Sequence, residues 1–86
     1  MPRNNLPTYA IVELLIRLSG NYPAIGNYKD HTIYDTGVVV KTSGGTINIP
    51  MGLVMQQFNE PETITETDLQ EVASSFKLGR INGETR

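Results

Sequence analysis

Thr8-Tyr-Ala-Ile-Val-Glu-Leu-Leu-Ile-Arg-Leu-Ser19 is the stretch on which the fold turns, because it satisfies two periodicities at once. At helical spacing, Ile11, Leu14, Leu15 and Leu18 gather on one face, with Glu13 and Arg17 as an i,i+4 pair opposite. At strand spacing, Ala10, Val12, Leu14, Ile16 and Leu18 would share one side of an extended chain. Three leucines, the internal Glu–Arg pair and a Gly20 stop at the C′ position decide for a helix over residues 8–19.

Wound this way, the segment has more apolar surface than a small fold needs. Val12 and Ile16 carry the oily face around one flank, leaving only a narrow polar stripe near Glu13 and Arg17. A core of this size covers an apolar stripe of about 100°, and this arc is wider. Either the helix is central, or the surplus meets another chain. The expectation is association with itself or with a protein partner, as a homo-oligomer or a small accessory subunit of the phage type, with Val12 and Ile16 in the contact.

Downstream, Gly37-Val-Val-Val-Lys-Thr-Ser and Thr46-Ile-Asn-Ile flank Gly44-Gly45, which reads as a β-hairpin. Two glycines accept the positive φ angles of a type I′ turn without steric cost. With both at the central positions, Ser43 faces Thr46, Thr42 faces Ile47 and Val40 faces Ile49. Val38, Val40, Thr42, Ile47 and Ile49 then share the buried face, and Lys41, Ser43, Thr46 and Asn48 the other.

The remaining elements follow from these two. Residues 20–36 carry turn formers and read as a loop that becomes a strand near His31. Pro50 has no N–H to donate and ends the ladder. Residues 51–58 suit a short helix with Met51, Val54, Met55 and Phe58 on one side, or else a third strand. Thr65 and Asp68 fit a capping box, Ile64 and Leu69 a hydrophobic staple, and Glu66 and Asp68 complement the helix dipole. Leu69, Val72, Ala73 and Phe76 form the apolar face of this last helix, and Gly79 is its expected C′ residue. The fold class expected is α+β: one domain over 1–86, a hairpin or small antiparallel sheet packed against two main helices, with flexible ends at 1–7 and 82–86.

Composition sets the outer bounds. At 86 residues and 38% apolar, the chain supports one modest core, and a net charge of −2 gives no polyanion signature. Absence of cysteine excludes disulfides, thiolate metal sites and a cysteine nucleophile, and favours a cytoplasmic, reducing setting. The longest apolar run, Tyr9 to Leu18, is interrupted by Glu13 and Arg17 and falls far short of the ~20 residues that span a bilayer.

No catalytic spacing emerges. The single histidine, His31, has Asp30 and Asp35 nearby, but adjacent strand residues point to opposite faces and the set matches no ligand motif. Ser43-Gly-Gly-Thr46 lacks the phosphate-loop pattern and joins strands rather than opening a helix. No enzyme activity, cofactor or metal is expected. Tyr22, Tyr28 and Tyr34 recur at six-residue intervals, and large rings with polar tips suit a recognition surface. Each could equally cap the core. A nucleic-acid alternative rests on Asp68 to Asn82, which loosely resembles a helix-turn-helix with Lys77, Arg80 and Arg86 as its basic residues. Lys77 stands where the turn glycine belongs, and the acidic run from Glu60 to Glu71 would repel phosphates.

Overall fold

A computed structural model describes residues 8–78. The chain forms a helix α1 (Thr8–Asn21), a 3₁₀ turn (Pro23–Ile25), strands β1 (Tyr28–Ile33), β2 (Gly37–Thr42) and β3 (Gly45–Pro50), and a helix α2 (Met51–Asn59). A second 3₁₀ turn (Pro61–Thr63), a helix α3 (Glu66–Ala73) and a two-residue strand β4 (Lys77–Leu78) complete it. The strands make one antiparallel sheet in the order β1-β2-β3-β4. Ile11, Leu14, Leu15 and Leu18 of α1, Leu53 and Val54 of α2, and Leu69 and Val72 of α3 join Val38, Val40, Ile47 and Ile49 in one core. The α+β architecture is as expected: the strand near His31 is present, residues 51–59 take the helical alternative, and β4 is the added strand.

The segment at 8–19 is helical, but its end lies elsewhere than Gly20. That glycine stays inside α1 without a positive φ, and the helix runs to Asn21. Pro23 supplies the stop, because a residue before proline is driven out of the α region; Tyr22 accordingly has φ −131° and ψ 77°. The expected Glu13–Arg17 pairing is also replaced. The Arg17 guanidinium reaches away to Gln57 Oε1 at 3.1 Å, the Pro61 carbonyl at 2.9 Å and the Ile64 carbonyl at 3.4 Å, tying α1 to both ends of the second 3₁₀ turn.

The hairpin forms with a different register. Val38 faces Ile49, Val40 faces Ile47 and Lys41 faces Thr46, so Ser43 and Gly44 are the turn residues rather than the two glycines. The slip is two residues, which preserves side-chain parity, and Val38, Val40, Thr42, Ile47 and Ile49 are all buried. The turn is not type I′, since Gly44 has no positive φ. Its shape comes from Thr42, whose hydroxyl accepts from the N–H groups of Gly44 at 3.1 Å and Gly45 at 3.0 Å and donates to the Ile25 carbonyl. Gly44 serves close approach instead: a Cβ there would lie 2.0 Å from the Ala24 carbonyl oxygen.

Three further expectations shift. The strand anticipated near His31 begins earlier, at Tyr28, after Gly26 turns the chain with φ 85°. Residues 51–59 are helical, but α2 buries Leu53, Val54 and Gln57 and leaves Met55 and Phe58 exposed. The last helix has its capping box at Thr65 and Asp68, yet it ends at Ala73, and Ser74–Ser75 turn the chain into β4. Phe76 therefore packs on the core from beyond the helix. Gly79 and the two termini expected to be flexible, 1–7 and 82–86, lie outside the described residues.

Candidate functional site

The surface that departs most from a covered core is the outward face of α1. Ala10, Ile11, Leu14, Leu15 and Leu18 point inward and are fully buried. One turn around, Ile16 is 62% exposed and Tyr9 is 58% exposed, while Val12 is half-buried on the flank. A 100° step per residue places Tyr9, Glu13, Ile16 and Gly20 in one stripe along the helix. The tertiary fold extends this stripe sideways onto α2. The ring of Phe58 meets Tyr9 edge-on with centroids 6.3 Å apart, and Met55 is exposed one turn earlier on the same helix.

On the other flank, Val12, Leu15, Ile16 and Ser19 face Gly26, Asn27 and Tyr28 across a cleft of about 210 Å³. Three of the residues expected to meet a partner, Val12, Ile16 and Tyr28, thus line one depression. Tyr28 is half-buried and packs against the core. Its hydroxyl lies 2.7 Å from His31 Nδ1. Burial, and secondarily the negative charge of Asp30, raise its pKa above the ordinary tyrosine value, so the phenol stays neutral in the cleft wall.

The other tyrosines do not join it. Tyr22 is half-buried against the core where α1 ends. Tyr34 is exposed, just beyond the far end of β1, roughly 20 Å along the strand from Tyr28. The six-residue spacing was a sequence regularity without a common surface, since one tyrosine precedes the strand and the other two bracket its length.

Two strand N–H groups are held by side chains: Asn48 of β3 donates to Ser75 Oγ at 3.1 Å, and His31 of β1 donates to the Asp30 carboxylate at 2.8 Å. Lys77 is exposed on β4, opposite Thr46, and extends the sheet where a helix-turn-helix would begin its second helix. Arg80 and Arg86 lie outside the described residues. Among the described residues, no group of three or more His, Asp or Glu is placed to hold a metal ion, and no helix is long and apolar enough to cross a membrane.

Tyr9, Met55 and Phe58 are the surface residues that sequence reasoning missed. A signal existed in α2, where Leu53–Val54 and Met55–Phe58 compete for the inward side of one short helix; only one pair can win. No protein-family model matches the chain, and neither a curated protein nor a solved structure matches it.

Proposed function

We propose that this protein is a non-enzymatic interaction module that associates with copies of itself through the outward face of α1. The observation that carries this reading is the exposure of Ile16, 62% in the middle of a helix whose opposite face is sealed. Burying such a side chain is worth about 1.5–3 kcal/mol, and Tyr9, Phe58 and Met55 enlarge the area beside it. The cleft walled by Tyr28 gives the contact relief as well as oil. A cysteine-free chain suits a reducing, cytoplasmic setting for such a module.

Sedimentation equilibrium tests the proposal. The wild type is expected to show concentration-dependent association. Ile16→Glu is expected to weaken it at least 10-fold, about 1.4 kcal/mol, while the circular dichroism of the monomer stays unchanged. A wild-type protein that remains monomeric at millimolar concentration overturns the reading.

A further inference from the structure

Resting on that reading, we infer that the contact is an antiparallel pairing of α1 with α1 of a second copy, with Tyr9 seated over the partner's Gly20 and Glu13 beside the partner's Arg17. Four residues of the outward stripe, Tyr9, Glu13, Ile16 and Gly20, follow one another at spacings of four, three and four. That is the seam spacing of two helices packed side by side. A two-fold axis level with the Leu14–Leu15 peptide sets Tyr9 opposite Gly20 and Glu13 opposite Ile16, and the symmetry repeats both pairs.

Size and charge select this arrangement. Gly20 sits within the last turn of α1 without a positive φ, where glycine is a poorer helix former than alanine. Among the described residues nothing requires it, because a Cβ at that position would meet no atom within 4 Å. Its bare backbone is the one place on the stripe where a ring as large as Tyr9 can lie close to a facing helix. Parallel pairing would instead stack Tyr9 on Tyr9 and leave Gly20 opposite Gly20, a bulge at one end and a gap at the other.

The charges agree. Among the described residues, every hydrogen-bond acceptor of Arg17 is neutral: one amide oxygen and two backbone carbonyls. Its positive charge therefore has no carboxylate among its bonded partners, and Glu13 stands exposed on the stripe. In the antiparallel pair, Glu13 and the partner's Arg17 differ by about one residue of helical rise, 1.5 Å along the axis, so each carboxylate stands level with the opposing Arg17 and competes with the neutral acceptors for its guanidinium. Antiparallel helices also oppose their dipoles.

The absence of native cysteine makes the geometry directly readable by disulfide trapping. Tyr9→Cys chains mixed with Gly20→Cys chains are expected to cross-link to each other on mild oxidation. Neither variant should cross-link alone, because like positions lie about 16 Å apart along the axis, beyond disulfide reach. In a second arm that keeps the tyrosine, Gly20→Leu is expected to raise the melting temperature of the dilute monomer yet weaken association more than 10-fold. Self-cross-linking of Tyr9→Cys, failure of the mixed pair to cross-link, or unchanged association of Gly20→Leu overturns the antiparallel seam while a wild-type dimer keeps the broader reading intact. A monomeric wild type overturns both.

Discussion

The two faces of α1 are made of much the same residues and meet opposite fates. Inward, Leu14, Leu15 and Leu18 are sealed to within 1% of full burial; outward, Ile16 and Tyr9 keep more than half their surface in water. The difference lies in what is stacked against each side. Val38, Val40, Ile47 and Ile49 supply a complete apolar sheet face for the first set. Among the described residues, the second set borders Phe58 and the cleft by Tyr28. Oil on a helix therefore announces that burial will occur, without saying which chain provides it.

Paired substitutions test that contrast, each read in dilute, monomeric protein. The largest effect belongs to the core. Leu14→Ala is expected to cost about 2–5 kcal/mol in urea unfolding, the range for a buried leucine that leaves a cavity. Ile16→Ala should stay within about 0.5 kcal/mol. Equal losses at the two positions would show that the outward face is buried after all.

Two glycines sharpen the same comparison. Gly44→Ala drives a methyl into the backbone of Ala24 and is expected to cost about 3 kcal/mol, the upper part of the overpacking range. Gly20→Ala adds a methyl in open space and replaces a poor helix former, so thermal unfolding should show a gain of up to about 1 kcal/mol.

The smallest effect is the pH dependence that Tyr28 contributes on the cleft side. Because the folded pKa of Tyr28 is raised above 10.0, the native state holds the phenolic proton to higher pH than the unfolded chain does. Its contribution is fully present below the unfolded value and is lost as pH rises through the folded one. Stability should therefore fall in alkaline solution, and Tyr28→Phe should flatten that part of the profile.

Much of this was legible in the residues. The helix at 8–19, the buried hairpin set and the Thr65–Asp68 cap each rest on local periodicity or a side chain bonding a neighbouring N–H, interactions complete within a few positions. The surplus on α1 was legible too, as an arc too wide for one core. What local pattern missed was every choice made by a distant partner. The hairpin turn follows the Thr42 hydroxyl and the approach of Ala24 and Ile25, so the glycine pair took another register. Arg17 left Glu13 for acceptors 40 and 44 residues away.

The amino-acid order alone determined the helix at 8–19, the hairpin strands with their buried set, and the Thr65–Asp68 cap, because those preferences act between near neighbours. Only the tertiary structure decided which side of α2 faces inward, where the last helix ends, and that Tyr9 remains uncovered beside Phe58 and Ile16 beside the Tyr28 cleft. Those outcomes depend on competition among apolar faces for a limited interior, and that competition is settled by packing the whole chain at once.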